Sequence, residues 1–273
     1  MAIGPSRDVE SQYGRLDVAA RIESAFRTLG KDPRHLSLED LAPLDEFHIG
    51  GRRASVELAE LAGFAIGARV LDVGAGLGGP ARLLAAQFGC IVTALDPVEA
   101  YCQAAEMLNR ATGLSDSVTV KRGDALVLPF ADGEFDGVWT QHASMNIVEK
   151  ARLYAEIRRV LRKGAAFAMH DVEAGPVQPI VFPVPWADDG SLSFLVTPEE
   201  KRSLVESAGF SLVEWRDKTA DAVEFFRRWA VAATRPALGV HVYVPDLDVK
   251  SRNQIHNFET DRLRVVQAVL RAI

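Results

Sequence analysis

The chain has 273 residues, of which 48% are hydrophobic and 25% are charged, and its formal net charge at pH 7 is −6. This length and apolar content are typical of one large globular domain, or of one domain with a lid. The acidic balance argues against nucleic acid as a partner, because such a domain needs a basic surface. No apolar run approaches the roughly 18 residues of a membrane span, so we expect no membrane partner.

Two further features indicate the cytoplasm as the location. Residues 1–12, "MAIGPSRDVESQ", lack the apolar segment of a secretory signal. The two cysteines, Cys90 and Cys102, lie in apolar and helical patterns and are expected to be buried free thiols. A disulfide framework would need more cysteines in a shorter chain. We therefore expect a cytoplasmic protein that is a monomer or a homodimer.

The first part of the chain is predicted to be helical. Apolar residues between Leu16 and Leu29 recur at helical spacing, and a glycine and a proline end that helix. The segment "SLEDLAPLDEFHIGGRRA" is predicted to be a loop or a series of short helical turns. A short helix is then predicted from Ser55 to Leu61.

After residue 68 the pattern changes to strands that alternate with helices. The five predicted strands are, in chain order, "RVLDVG", "CIVTALD", "SVTVKRGD", "FDGVWTQ" and Gly164–His170. Helical patterns follow the first, second and fourth of them, at Gly79–Phe88, Pro97–Asn109 and "KARLYAEIRRVL". Strands and helices that alternate in this way indicate a parallel sheet covered on both faces.

The last part of the chain begins with a loop that carries four prolines and no Lys or Arg, "EAGPVQPIVFPVPWADDG". Thr197 is the predicted cap of the helix "PEEKRSLVESAG", with Pro198 at its first position and Glu200 at the capping-box position. The segment "FSLVEWRD" is the sixth predicted strand, and residues 220–258 form a mainly helical lid. We predict that "RLRVVQAVLRAI" is a seventh strand, although it also fits a short helix.

The glycine-rich turn in "VLDVGAGLGGPARLLA" allows two interpretations. Gly74, Gly76 and Gly79 spell GxGxxG, the dinucleotide fingerprint, whereas Gly74, Gly76 and Gly78 with Asp72 spell DxGxGxG, the turn that holds S-adenosylmethionine. In both, the backbone approaches the ligand and a helix offers free N–H groups. We expect the Asp72 carboxylate to order this turn rather than to touch the ligand.

Three features favour S-adenosylmethionine over a nicotinamide cofactor, which remains the alternative. Nearly seventy residues precede the glycine strand, whereas a dinucleotide fold usually begins there. Gly123 and Asp124 end the third strand, where a carboxylate can accept from an adenine amino group. Nothing downstream resembles a hydride-transfer site. Asp96, after the second strand, suits both cofactors, because a carboxylate can accept from two vicinal ribose hydroxyls.

These motifs, with "ALDP" and "GDALVLPFADGEFDGVWTQHASMNI", resemble class I S-adenosylmethionine-dependent methyltransferases over most of residues 45–215. The segments "LAPLDEFHIGGRRAS" and "SQYG" narrow the resemblance to the branch of sarcosine/dimethylglycine and phosphoethanolamine N-methyltransferases. The resemblance implies an α/β fold of the Rossmann-like methyltransferase type. Its doubly wound, mostly parallel sheet has seven strands, with an N-terminal helical segment and a helical lid.

The resemblance and the element pattern together divide the chain into four parts. Residues 1–66 are expected to form an N-terminal helical cap that closes over the cofactor, and residues 67–217 the S-adenosylmethionine-binding α/β core. Residues 218–260 are expected to form the helical lid, and residues 261–273 the final strand of the core sheet.

The resemblance also implies which residues hold the cofactor. At the methionine part, Gly74 and Gly76 would pass under the ligand, Gln141 would approach its end, and Phe47 and His48 would reach its carboxylate. At the nucleoside part, Asp96 would bind the ribose, Pro97 would pack on the adenine, and Asp124 and Ala125 would hold the adenine edge. Tyr13 would close over the cofactor. Ordinary packing at a helix entry is the alternative for Phe47 and His48.

Catalytic candidates cluster after the strands, because ligands bind at the carboxyl ends of such sheets. His142 follows the fourth strand and His170 ends the fifth. Phosphoethanolamine enzymes pair their tyrosine with a histidine just past the fourth strand, and Asn146 occupies that position here. We therefore take Tyr13, His142, Asn146 and His170 as catalytic candidates and expect no metal. A structural role is the alternative for both histidines.

The loop from Glu173 to Val196 is the predicted acceptor-binding segment. It has no Lys or Arg, which argues against a phosphate monoester as the acceptor. Phe182 and Trp186 are the candidate substrate contacts, for an aromatic acceptor or a substituted ammonium. Packing of the lid is their alternative role.

The sequence therefore predicts an enzyme that transfers a methyl group from S-adenosylmethionine to a small molecule, with nitrogen as the expected acceptor atom. One alternative is a C-methyltransferase, or a methylation-coupled cyclase, that acts on an aromatic or indole-like specialised metabolite. A second alternative is a non-catalytic cofactor-binding module.

Overall fold

The structure is a computed structural model that describes residues 13, 14, 16–231 and 238–273. Residues 1–12, which the sequence assigned to the cap, and residues 232–237 of the assigned lid lie outside the described residues. Of the helices in the described part, none is long and apolar enough to cross a membrane.

Helices and strands alternate along most of the described chain. The helices are α1 (Val18–Thr28), α2 (Leu38–Asp45), α3 (Gly51–Ala62), α4 (Gly79–Phe88), α5 (Glu99–Ala111), α6 (Lys150–Val160), α7 (Pro198–Ser207), α8 (Thr219–Val231) and α9 (Leu247–Glu259). The strands are β1 (Arg69–Val73), β2 (Ile91–Asp96), β3 (Val118–Arg122), β4 (Phe135–Gln141), β5 (Leu161–Ala174), β6 (Phe210–Asp217) and β7 (Leu263–Ala272).

The strands form one seven-stranded sheet in the order β3-β2-β1-β4-β5-β7-β6. Strands β1 to β5 pair in parallel, whereas β7 runs antiparallel to both β5 and β6. The predicted doubly wound, mostly parallel sheet is therefore confirmed, and "RLRVVQAVLRAI" is a strand rather than a helix. Its many β-branched residues suit that position, because β7 lies between two strands and is buried along most of its length.

Helices cover both faces of this sheet and bury two separate apolar layers. On one face α6 and α7 contribute residues such as Ile157 and Val205. On the other, α3 and α4 contribute Leu58 and Leu84, which pack near Trp139 of β4. The strand order reverses between β1 and β4, and in such sheets ligands bind at the carboxyl ends of the strands beside that point.

Three elements differ from the prediction by more than two residues. The segment predicted as loop or short turns contains the two-turn helix α2, which a capping box of Ser37 and Asp40 starts. Helix α3 begins at Gly51 instead of Ser55, because Gly50 supplies a left-handed residue before it. Strand β5 extends to Ala174, beyond His170, because β7 pairs with it along that length.

A buried ion pair joins α2 of the cap to α4 of the core. Arg82 is fully buried; its Nη2 lies 2.5 Å from Asp45 Oδ1, and its Nη1 donates to Asn109 Oδ1 at 2.9 Å. Burial raises the pKa of Asp45, and Arg82 opposes that rise. Gly79 permits the close approach, because a Cβ there would lie 2.3 Å from the Asp45 carbonyl oxygen. The third glycine of the GxGxxG pattern is therefore explained by helix packing.

The substitution Arg82→Met tests this ion pair. It would leave the Asp45 carboxylate buried without its partner, so we expect the free energy of unfolding to fall by about 3–5 kcal/mol. Urea denaturation followed by circular dichroism measures the change. Arg110→Met is the control: Arg110 is exposed beside Glu106, and its loss should change stability by less than about 0.5 kcal/mol. Equal effects in the two variants would contradict this role for Arg82.

Candidate active site

A cavity of about 160 Å³, here called the first cavity, lies at the carboxyl ends of β1, β2 and β4. The glycine turn after β1 forms its floor, and side chains from the cap reach it from above. All ten residues predicted to bind the cofactor line it: Tyr13, Phe47, His48, Gly74, Gly76, Asp96, Pro97, Asp124, Ala125 and Gln141. Their individual contacts with a cofactor stay predictions.

A second cavity of about 440 Å³ adjoins the first and shares Tyr13, Phe47, His48 and His142 with it. The cap, the loop after β5 and the lid enclose it. Most of its wall is apolar, and its remaining lining includes Glu46, Ile49, Arg52, Met145, Trp186, Phe225, Phe226, Val240, His241, Leu247, Ser251 and Gln254. The second cavity is therefore a separate compartment that meets the first at four shared side chains.

Two glycines of the turn serve different purposes. Both have positive φ, 78° at Gly74 and 55° at Gly76. A Cβ on Gly74 would lie 2.5 Å from the Cβ of Ala143, whereas a Cβ on Gly76 would meet no protein atom within 4 Å. Gly74 is therefore needed for packing within the protein. Gly76 instead leaves open space in the first cavity, where a ligand can approach the backbone.

The carboxylate that orders the glycine turn is that of Asp96. Its Oδ2 accepts from Gly76 N at 2.8 Å and its Oδ1 accepts from Val98 N at 2.9 Å. The expectation that Asp72 orders the turn is wrong, because no hydrogen bond reaches Asp72 Oδ2, which is buried in the wall of the first cavity. Burial, which outweighs those two bonds, raises the pKa of Asp96 to about 6, and burial beside Asp96 raises the pKa of Asp72 to about 8.

Two unpartnered polar atoms in the first cavity fit the methionine end of S-adenosylmethionine. Asp72 Oδ2 offers an acceptor suited to an ammonium group. Gln141 Oε1 accepts from both Trp139 Nε1 and Ser55 Oγ at 3.1 Å, which leaves its buried Nε2 as a donor without a partner. A free acceptor and a free donor in one wall suit a zwitterion. The residues present therefore fit the cofactor that the motifs imply.

The four catalytic candidates do not form one cluster. Tyr13 Oη lies 3.2 Å from Asn146 Oδ1 and 3.2 Å from the Trp186 carbonyl oxygen. Asn146 Nδ2 also donates to that carbonyl at 2.9 Å. The hydroxyl of the tyrosine thus pairs with Asn146 and not with His142. Burial raises the pKa of Tyr13, so its hydroxyl stays protonated and acts as a donor.

The two histidine candidates lie one behind the other. His142 has φ 50°, lines both cavities, and its ring centroid is 5.3 Å from that of His170. His170 lines neither cavity, because β5 places its buried ring behind His142, and its catalytic role stays a prediction. Burial lowers the pKa of His170 to about 3 and that of His142 well below its usual range. No group of three potential metal ligands occurs in the described part of the chain.

The two predicted substrate contacts have different positions. Trp186 lines the second cavity, and its Nε1 donates to Ser193 Oγ at 3.0 Å. Phe182 lines neither cavity and packs against the apolar cluster beneath the lid, which agrees with its alternative role, and its contact with a substrate stays a prediction. Arg52 from the cap and Phe225 from the lid also line the second cavity, and neither was predicted from the sequence. The doublets "RR" and "FF" are the only signal, and neither indicates which side chain faces inward.

Comparison with known proteins identifies the family. Residues 71–169 match the family model described as "Methyltransferase domain". The chain is 33% identical over 156 residues to sarcosine/dimethylglycine N-methyltransferase of Halorhodospira halochloris, covering 55% of this chain and 54% of that protein. It is 30% identical over 181 residues to methyltransferase GfsG of Streptomyces halstedii, covering 65% of each. The chain thus spans between about half and two thirds of these relatives.

A solved structure shares the fold. Phosphoethanolamine N-methyltransferase 2 of Haemonchus contortus, in complex with S-adenosyl-L-methionine, aligns with a TM-score of 0.75 at 18% identity, covering 99% of this chain and 60% of that one. At this identity the likeness shows the fold alone. Together with the family match and the sequence relatives, it confirms the recognition from the motifs. Residues 71–169 belong to a class I S-adenosylmethionine-dependent methyltransferase domain.

Proposed function

We propose that this chain transfers the methyl group of S-adenosylmethionine to the nitrogen of a small molecule held in the second cavity. One observation carries the proposal: two cavities meet at Tyr13, Phe47, His48 and His142. A donor in the first and an acceptor in the second would face each other there. Bringing two reactants into line and excluding water contributes on the order of 7–11 kcal/mol in favourable cases. The names of the N-methyltransferase relatives support nitrogen as the acceptor atom.

The proposed cofactor contacts follow the lining of the first cavity. Asp96 would take the ribose, since each of its oxygens keeps acceptor capacity beyond its backbone bond. Asp124 and Ala125 would hold the adenine edge. Asp72 would face the ammonium group of the methionine end, and Gln141 Nε2 its carboxylate. The bound group supplies an electrophilic methyl on a sulfonium.

We also propose which parts of the chain bind the acceptor and which bind the cofactor. The cap (residues 1–66) and the lid (218–260) would enclose the acceptor. The α/β core (67–217) with the final strand (261–273) would hold the cofactor. Both assignments are supported by the lining of the two cavities. The cytoplasmic location and the monomeric or homodimeric state stay predictions.

The wall of the second cavity suits an apolar amine that also carries one acidic group. Trp186, Phe225 and Phe226 offer aromatic surface to an apolar body or a substituted ammonium. Arg52 contributes a guanidinium whose buried Nε bonds to no described residue. Residues 173–196 carry no Lys or Arg, but this arginine comes from α3. A carboxylate is the group that a guanidinium binds best through paired hydrogen bonds.

The substitutions Gly76→Ala and Gly74→Ala test the cofactor site as a pair. The methyl group of Gly76→Ala would occupy cavity space, so cofactor affinity should fall more than tenfold, at a stability cost of about 1–2 kcal/mol from positive φ. Gly74→Ala should destabilise more, by a further 1–3 kcal/mol or so, because its methyl group overlaps Ala143. Calorimetric titration and urea denaturation separate the two effects. Undiminished affinity in Gly76→Ala would mean that the cofactor lies elsewhere.

Proton release on cofactor binding tests Asp72. Its pKa of about 8 means that the carboxyl holds a proton at pH 7 in the free protein. A cationic ammonium beside it favours the ionised form, so binding should release about one proton at pH 7 and almost none above pH 9 or so. Affinity should accordingly rise with pH up to about 8. Calorimetry in two buffers of different ionisation enthalpy counts the proton. Unchanged release in Asp72→Asn would contradict the assignment.

A panel of amines tests the acceptor class. Wild-type protein should methylate amines with a carboxylate at least tenfold better in kcat/KM than matched amines without it, the range expected for one charge-assisted bond. Arg52→Met should abolish that preference, and Arg53→Met, which changes the exposed neighbour, should keep it. Mass spectrometry locates the methyl group. A methylated carbon would favour the C-methyltransferase alternative, and tight cofactor binding without any product would favour the binding module.

A further inference from the structure

His48 occupies an unusual position between the two cavities. It is 8% exposed and follows α2 by three residues. Its Nε2 lies 3.1 Å from Ser55 Oγ, with which it is hydrogen bonded, and 2.9 Å from Glu46 Oε2. The Glu46 contact is close but not aligned as a hydrogen bond, so Glu46 acts on the ring mainly through its charge. His48 Nδ1 is buried and has no partner among the described residues.

A chain of hydrogen bonds fixes which ring nitrogen carries the proton. Trp139 Nε1 can only donate, and it donates to Gln141 Oε1 at 3.1 Å. This orients the Gln141 amide, so Ser55 Oγ, 3.1 Å from the same oxygen, must also donate to it. Its only proton is then used, and the oxygen must accept from His48 Nε2. Neutral His48 is therefore protonated on Nε2 and carries a free lone pair on Nδ1.

The surroundings favour His48 over its neighbour His142 as a proton acceptor. The ring centroids of the two are 6.1 Å apart, and both residues line both cavities. Of these two rings, only that of His48 has a carboxylate of a described residue, Glu46, against it, and such a charge stabilises an imidazolium. Two further histidines face it, His142 from the loop after β4 and His170 from β5, at 6.3 Å. Burial lowers the pKa of both, so at neutral pH they carry no charge that would oppose a proton on His48.

We propose that His48 is the catalytic base: its Nδ1 takes a proton from the protonated acceptor amine, and Glu46 stabilises the resulting imidazolium. This inference rests on the proposed transfer to nitrogen. The N–H bond of the ammonium breaks and its proton moves to Nδ1, which frees the nitrogen lone pair. That pair forms the N–C bond as the C–S bond breaks, and the C–S electrons stay on sulfur. His48 returns its proton to solvent when the product leaves.

Variants at His48 and Glu46 test the proposal through the pH dependence of kcat/KM. His48→Gln keeps a polar side chain but cannot take a proton, so kcat should fall about 10²- to 10⁴-fold, and the rise of the rate with pH should move up to the range in which the acceptor amine itself loses its proton to solvent. Glu46→Gln should lower kcat less, about tenfold, because the imidazolium then forms without a carboxylate beside its ring. His256→Gln, on the exposed face of α9, is the control and should behave as wild type.

Two readouts do not depend on turnover. Nitrogen-15 NMR of the cofactor-free protein should show His48 in the Nε2–H form. Calorimetry should show that His48→Gln binds S-adenosylmethionine within about threefold of wild type. An Nδ1–H tautomer would overturn the proposal, as would a His48→Gln variant with normal kcat at saturating cofactor. Lost cofactor affinity with normal kcat would assign His48 to the methionine carboxylate instead.

These outcomes separate the two proposals. If wild-type protein methylates an amine and His48→Gln does so equally well, the function stands and the role of His48 is wrong. If wild-type protein methylates no nitrogen in any acceptor of the panel, the proposed function fails and the base has no proton to remove, so both proposals are overturned.

Discussion

The buried pair of Arg82 and Asp45 is the interaction on which the site depends most directly. Asp45 is the last residue of α2, and Glu46, Phe47 and His48 follow it at once. Glu46 lines the second cavity, and Phe47 and His48 line both. The ion pair between Asp45 and Arg82 of α4 therefore holds the segment that carries these three side chains. Because a buried ion pair is costly to break but adds little net stability, its main effect is to fix position. The ion pair thereby holds the cap in one position over the glycine turn.

That fixed geometry leaves several polar atoms without partners. Asp72 Oδ2, Gln141 Nε2, His48 Nδ1 and Arg52 Nε are all buried and unbonded within the described structure. A buried polar atom without a bond costs about 1–3 kcal/mol, and a compact fold normally avoids it. Because these four atoms lie around two adjoining cavities, the folded state has a deficit of hydrogen bonds there. A ligand with complementary groups removes it, so binding and stability are coupled through the same atoms.

The fold and the cofactor site could be predicted from the sequence because their signals are local. A glycine turn after a buried strand, and acids at the ends of the next two strands, need only the order of elements to be brought together. The residues that line the second cavity have no such local signals in the sequence. Phe182 and Trp186 are four residues apart in one loop, and only tertiary packing decides that Trp186 faces the second cavity. Arg52 and Phe225 are far apart in the chain, and only the tertiary fold brings them to the wall of one cavity.

The two strands β6 and β7 are paired with each other, yet the whole lid lies between them in the chain. Asp217, the last residue of β6, is in register with Val266 of β7, so the lid leaves the sheet and returns to it at neighbouring points. A segment with this attachment can change length or composition at little entropic cost, since doubling a loop costs only about 0.6 kcal/mol. The sheet would keep its register throughout. Changes within this one segment can therefore alter the wall of the second cavity, while the glycine turn that borders the first cavity stays unaltered.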